Sequence, residues 1–280
     1  MAASNGVRVR LASIHIYPLK AARGFDVGES PVEPWGLAGD RRWLLVDETG
    51  RFVSQREEPT MARVVVRTGD RGVTASAPGQ PDICVPAPCQ GGGAEMLRVS
   101  VWESTLLAAA AGNAADSWFS GYLGRPVRLV YLDDPTRREV DQDYAARGDV
   151  VSFADGYPLL LTNSGSLDEL GRWLTEDGGQ AVPMNRFRPS VVVAGVGPWA
   201  EDGWRRIRIG EVPFRVAKPC GRCVVTTIDQ ATAEVGRQPL KMLGRRRRFG
   251  QELVFGQNLI PDATGVIRVG DPIEILEHAE

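Results

Sequence analysis

Short runs of alternating apolar and polar residues recur along the whole chain, and they constrain its fold more than any other feature. "VRVRLASIHIY" (7–17), "RRWLLVD" (41–47), "MARVVVRT" (61–68) and "RPVRLVYL" (125–132) all read as half-buried β-strands. The last third returns to the pattern in "RPSVVVAG", "RRIRIGEVPFRVA", "CVVTTID" and "GVIRVGDPIEILE", the last with a Gly-Asp turn that predicts a hairpin. The 32 Gly and 19 Pro are spread between these runs and supply the turns that many short strands need. Helical spacing is confined to a few stretches. One is predicted from about Gly112 to Leu123, with Asn113 or Asp116 near its start. A second lies in "SGSLDELGRWLTED", with Ser166 as N-cap and Leu167, Leu170 and Leu174 on one face. The expected fold class is mixed α/β and mainly β.

The segment "DDPTRREVDQDYAARGDVVSFADGY" (133–157) is polar, charge-mixed and weakly periodic. It divides the chain into an N-terminal β unit (7–132), a connection (133–157) and a C-terminal β-rich unit with a few helices (158–278). Basic and acidic side chains nearly cancel, 33 against 35. No global field is expected to draw the chain onto a nucleic acid polymer or an anionic membrane, so any anion site must be a local cluster. The opening "MAASNGVRVRLASIHIYPLK" lacks the apolar core of a signal peptide, and no run approaches the roughly 20 apolar residues of a membrane span. Four cysteines are too sparse for a disulfide scaffold, which predicts reduced thiols and a cytoplasmic protein. "RRRR" (245–248) reads as a solvated loop, with a docking face for an acidic partner as the second reading.

"RVAKPCGRCVVTTID" (215–229) carries Cys220 and Cys223. Structural zinc would need four ligands, yet the chain has only His15, His278 and the distant Cys84 and Cys89 besides. A thioredoxin-like pair would open a helix, whereas the β-branched run after Cys223 predicts a strand. An inert buried pair is the plain alternative. Lys218 and Arg222 favour the thiolate, a soft donor suited to a metal whose other sulfur ligands come from a cofactor.

"KPCGRCVVTTID", "QPLKML", "FGQNLI" and "GVIRVGDPIEIL" resemble the C-terminal MOSC domain of molybdenum-cofactor enzymes. "IYPLKAARG", "GLAGDRRWLLVD" and "FVSQREEP" resemble the β-barrel domain that precedes MOSC in the amidoxime-reducing component family. The resemblance implies an N-terminal β-barrel-like domain followed by a β-rich MOSC domain. It implies that Cys223 is the protein ligand of molybdenum in a molybdopterin cofactor. It further implies that Lys20, Arg41 and Arg188 hold the pterin's phosphate, and that Gly156, Tyr157, Gly221 and Asn258 line the cofactor. Asp202 is expected as an acid near the substrate. Ala21 and Gly221 stand where relatives often carry Ser. The implied activity is reduction of small N-hydroxylated compounds, with electrons from a separate ferredoxin- or cytochrome-type donor and no iron–sulfur cluster in this chain. The second reading is a carrier of molybdenum cofactor, or of sulfur on Cys223, for another enzyme. Cys84 and Cys89, in "DICVPAPCQ", match no motif and read as structural or incidental.

Overall fold

Strand β1 (Arg10–Ile16) shows how the alternation is used. Leu11, Ile14 and Ile16 are buried while Arg10 faces solvent. Leu11 and Ile14 are three residues apart yet share the buried side, because the pairing slips between Leu11 and Ser13 as in a β-bulge. The computed structural model describes residues 9–88 and 93–279, so the first residues of "VRVRLASIHIY" and Cys89 lie outside the described residues.

β1 sits near one end of the largest sheet. Its neighbours are β2 (Phe25–Val27) and β13 (Val191–Ala194), and the order continues through β12 (Leu159–Asn163), β17 (Glu252–Pro261), β15 (Val212–Gly221) and β14 (Trp204–Ile209) to β19 (Ile273–His278). A short β16 (Arg248–Phe249) pairs onto β17. Within this sheet only β12 and β13 run parallel, and helix α2 (Ser164–Glu176) makes the crossover that a parallel pair requires. β18 (Gly265–Arg268) joins β3 (Glu29–Glu33) and β4 (Gly36–Leu37) in a second sheet. Thus two sheets mix strands from the two ends of the chain. The remaining two sheets are local to the N-terminal half. One comprises β5 (Trp43–Val46), β11 (Arg128–Tyr131), β10 (Ser104–Ala110) and β9 (Met96–Val101); the other comprises β6 (Val65–Gly69), β7 (Gly72–Ser76) and β8 (Ile83–Pro86). With α1 (Asn113–Leu123) and α3 (Leu240–Arg246), the described residues hold three α-helices in a mainly β fold.

The apolar faces close into several cores. Leu11, Ile14, Leu161, Val191, Phe214 and Leu259 pack beneath the large sheet. Trp43, Leu45, Leu129, Trp118 and Phe119 pack the four-stranded sheet of the N-terminal half against α1. Leu170 and Leu174 of α2, Leu243 of α3, Phe187 and Phe255 form another core, in which the two Phe rings stack 3.8 Å apart. Each such Leu or Phe contributes roughly 1.5–3 kcal/mol on burial. The last core matters for the site, because Phe187 ends the turn that presents Arg188.

Several local expectations are corrected. The N-cap of α2 is Asn163, whose Oδ1 accepts from the Gly165 amide at 2.9 Å; Ser166 lies inside the helix and donates instead to Glu201. "VVTTID" is not a strand but opens with a 3₁₀ turn (Val224–Thr227). The hydroxyls of Thr226 and Thr227 bond back to the carbonyls of Cys223 and Val224, at 2.9 and 2.7 Å, and this local bonding overrides β-propensity. The Gly-Asp turn at 270–271 makes no hairpin, since β18 pairs with β3 and β19 with β14. "MARVVVRT" begins in a 3₁₀ turn (Pro59–Arg63) and is strand only from Val65. "RRRR" is not a solvated loop: Arg245 and Arg246 end α3, and Arg247 is buried.

Candidate functional site

Several stretches of chain converge on one open cleft, whose empty space with its mouth included is about 860 Å³. They are the turn at Lys20 and Ala21, Arg41, the segment around Phe52–Arg56 with Trp102, residues 154–160, the turn around Arg188, the Cys220–Val225 corner and Asn258. β15 reaches this corner with two register shifts against β17, which accommodate Pro219 in a paired strand although it lacks an N–H. Cys220 is thus the penultimate residue of a strand and Cys223 opens a 3₁₀ turn, so both thiols lie along the cleft wall. Arg222 between them donates to Cys220 Sγ at 2.9 Å and to the Phe187 carbonyl at 2.7 Å. Burial pushes the Cys220 thiol above its ordinary pKa, although the Arg222 charge opposes this.

Charge is the cleft's dominant property. Five cationic side chains line it (Lys20, Arg41, Arg56, Arg188 and Arg222) against a single carboxylate, Asp155. Among the described residues, Arg56, Arg188 and Arg222 form no salt bridge. Arg41 is held against Asp40 and donates to the Arg188 carbonyl at 3.0 Å. Both Arg41 and Arg188 lie over the Tyr17 ring, 4.2 and 4.4 Å from its centroid. That stack fixes their spacing. It needs Gly24, since a Cβ there would sit 2.5 Å from the Tyr17 ring. Burial lowers the Arg188 pKa to about 10, and raises that of Tyr17 to about 12.

Lys20 Nζ donates to the Phe153 carbonyl at 2.8 Å and to Asp155 Oδ1 at 2.5 Å. Burial lowers its pKa to about 8, though Asp155 pulls upward. Desolvation pushes the Asp155 carboxyl up, but the Lys20 charge and hydrogen bond, with Trp102 and Arg56, outweigh it and hold Asp155 well below the carboxylate range. Ala21, Arg41, Trp102 and Arg188 all adopt left-handed backbone, with φ of 67°, 48°, 53° and 54°. Each such non-glycine conformation costs on the order of 1 kcal/mol and persists where surrounding contacts impose it.

Of the residues singled out in the sequence, Lys20, Arg41, Gly156, Tyr157, Arg188, Cys223 and Asn258 line this cleft. Gly221 does not; it ends β15 facing solvent, and a Cβ there would meet the Glu252 carboxylate at 2.9 Å. Asp202 does not either, which corrects its expected place near a substrate. Its carboxylate is taken by Arg247 at 2.7 Å and Gln257 at 2.8 Å, away from the cleft.

Three contributors escaped the sequence reading. Buried Arg138, from the supposed connection, donates to the carbonyls of Ser152, Ala154 and Asp155 and thereby shapes the cleft wall. Gln55 and Gln230 form a buried reciprocal amide pair, at 3.1 and 3.0 Å, in which Gln55 also donates to the Ala21 carbonyl at 2.6 Å. Gln55 lies within "FVSQREEP", but nothing in the sequence indicates its partner.

Among the described residues no three His, Cys, Asp or Glu side chains gather into a metal cage. A soft metal at Cys223 would therefore take further donors from an organic ligand. The residues present fit such a group if it is anionic. The cleft carries unpaired guanidiniums, and the Tyr157 hydroxyl and Arg222 Nε are buried without a partner.

The chain is also similar to known proteins. The model of the MOSC N-terminal beta barrel domain matches residues 8–126, and that of the MOSC domain matches residues 148–274. Mitochondrial amidoxime-reducing component 1 of Mus musculus is 30% identical over 283 residues, covering 95% of this chain and 82% of that protein. The Homo sapiens protein of the same name is 29% identical over 283 residues, with the same coverages. Mitochondrial amidoxime reducing component 2 of Homo sapiens is 27% identical over 280 residues, covering 94% and 82%. These names overturn the expected cytoplasmic location, since the relatives are called mitochondrial. No helix among the described residues is long and apolar enough to cross a membrane.

Proposed function

The chain belongs to the amidoxime-reducing component family of MOSC-domain proteins, and from that premise we propose that it is a molybdenum-cofactor-dependent oxidoreductase of N-hydroxylated compounds. The observation that carries this reading is a cleft with five cationic side chains, one carboxylate and a wall of two thiols. Such a surface suits a phosphate-bearing pterin, with guanidiniums as the phosphate donors. Lys20, Arg41 and Arg188 would hold the phosphate, Cys223 would ligate the metal, and Gly156, Tyr157 and Asn258 would line the ring system. When bound, the cofactor supplies two-electron removal of oxygen, so that an N–OH group, two electrons and two protons become N–H and water.

The chain's own work is to bind, orient and supply protons. Lys20, with a pKa near 8, keeps its proton at neutral pH and has one N–H beyond those given to Phe153 and Asp155. Arg222 sits against Cys220, leaving Cys223 free to meet a metal. Electrons would arrive from a separate donor protein. Arg245, Arg246 and Arg248 remain exposed as a docking face, whereas Arg247 is committed to Asp202.

Metal analysis of protein from a host that makes the cofactor, wild type beside Cys223→Ala, tests the reading. Near-stoichiometric molybdenum and benzamidoxime reduction in the wild type, both lost in the variant, are expected. Absence of molybdenum from the wild type would end the enzyme reading and direct attention to a persulfide on Cys223, as a sulfur carrier would require.

A further inference from the structure

The mouth of the cleft holds a group of side chains to which cofactor binding assigns no task. Trp102 stands in the turn between β9 and β10 with 44% of its surface exposed and a left-handed backbone. An exposed Trp in a conformation that favours Gly or Asn is an unusual choice for a hairpin turn, and simple chain reversal does not require it. Its ring packs edge-on against Phe52 at 4.9 Å, and its indole N–H donates to Asp155 Oδ1 at 3.2 Å. Lys20 donates to the same oxygen. The Asp155 side chain nevertheless stays 72% exposed, and its bonds to Lys20 and Trp102 both use Oδ1, which leaves Oδ2 without a hydrogen bond among the described residues. Over the Trp102 ring lies the guanidinium of Arg56, 4.4 Å from the centroid and with no salt bridge of its own among the described residues.

A flat aromatic face beside an ionised carboxylate is a site for a planar group that carries N–H donors. Arg56 shows what fits. Its guanidinium is a planar carbon bearing nitrogens, the shape shared by amidines and guanidines. Arg56 is itself exposed, so its guanidinium can return to water when it moves aside. In a cleft otherwise lined by cations, a positively charged product is tolerated only beside Asp155.

We propose that Trp102 and Asp155 form the substrate-recognition subsite of this cleft, selective for planar amidine- and guanidine-type N-hydroxy compounds, and that Arg56 occupies it until such a group displaces it. The proposal rests on the reading that the cleft reduces N-hydroxylated compounds. A neutral N-hydroxyamidine would enter over Trp102 with its amino group toward Asp155 Oδ2. Loss of the oxygen leaves an amidine, which takes up a proton in water and then matches Arg56 in shape and charge. The returning guanidinium competes with this product and promotes its release.

The test compares wild type, Trp102→Ala, Trp102→Phe and Arg56→Ala as cofactor-loaded proteins, after circular dichroism and melting curves show that each is folded. Two readouts are used: kcat/KM for benzamidoxime against benzohydroxamic acid, and benzamidine binding by calorimetry. Trp102→Ala should lower kcat/KM for benzamidoxime about tenfold, through KM, and change that for benzohydroxamic acid less than twofold. Trp102→Phe should restore most of the loss. Arg56→Ala should tighten benzamidine binding at least threefold, and Trp102→Ala should weaken it at least fivefold. Equal losses for both substrates, or benzamidine binding indifferent to Trp102 and Arg56, would overturn the subsite while leaving the proposed activity standing. If the wild type reduces neither substrate, the activity falls, and the benzamidine arm still decides whether the subsite exists.

Discussion

The amide pair of Gln55 and Gln230 allows the sharpest energetic test. Gln55→Leu removes three hydrogen bonds and strands the Ala21 carbonyl and one Gln230 N–H. Each buried polar group left unpartnered costs about 1–3 kcal/mol, so the expected loss is about 2–6 kcal/mol. Gln230→Leu strands a Gln55 N–H, the Gln55 oxygen and the Ile228 carbonyl, and takes a partner from Arg188, for a comparable loss. In the double variant the two amides no longer strand each other, and only the Ala21 and Ile228 carbonyls and the Arg188 contact remain. Its loss should therefore fall short of the sum by about 2 kcal/mol, which is the coupling between directly bonded side chains. Equilibrium urea unfolding of the four proteins at constant pH measures this. Additivity within about 0.5 kcal/mol would refute the claim that the pair acts as one unit clamping the Ala21 turn to the turn beyond Cys223.

Lys20 sets a pH dependence for anion binding. With its pKa near 8 it is cationic below that value and loses its charge above, while a bound anion favours the charged form. Sulfate affinity of the cofactor-free protein, read by calorimetry, should be flat from pH 6 to about 7.5 and fall above about 8; an identical fall in Lys20→Met would sink the assignment. Asp202→Asn should lower unfolding free energy by about 1–3 kcal/mol, because Arg247 loses its ionic partner, with the pH–rate profile unmoved. A displaced profile would return Asp202 to the chemistry. Replacing Arg245, Arg246 and Arg248 together by Ala should raise the KM for the protein electron donor several-fold and leave turnover with a small-molecule reductant unchanged. An equal loss with both reductants would remove the docking face.

What the sequence reveals depends on how far apart the interacting residues lie. Alternation and turn residues located nine of the nineteen strands among the described residues, and α1 came out within one residue of its expected start because Gly112 and Leu123 bound it locally. Motif-bearing positions such as Lys20, Arg41 and Arg188 were visible as candidates, though their common stack on Tyr17 was not. The misses involve partners distant in sequence. Arg247 claims Asp202 from 45 positions away, and β3 claims β18 from more than 230. Arg138 resembled any charge in a polar segment, and only the fold shows three carbonyls converging on it. The 3₁₀ turn after Cys223 was missed for a different reason. Thr serves β-strands by shape, but its hydroxyl can also close a local turn.

The mixing of early and late strands in the large sheet sets a timetable for biosynthesis. β1 leaves the ribosome well before its partner β13, which is made about 180 residues later, and the Leu11 amide waits for the Asp271 carbonyl. At ordinary translation speeds, roughly 5–20 residues per second, the early strand spends about 10–40 s without its neighbour. The walls of the cleft come from residues 20 to 258, so no nascent intermediate contains a finished receptacle. Loading of the proposed cofactor would therefore follow the synthesis of residue 258. A chaperone acting on this protein would have to shield an orphan edge near the N-terminus during elongation, because the sheet becomes continuous only when the last strands dock.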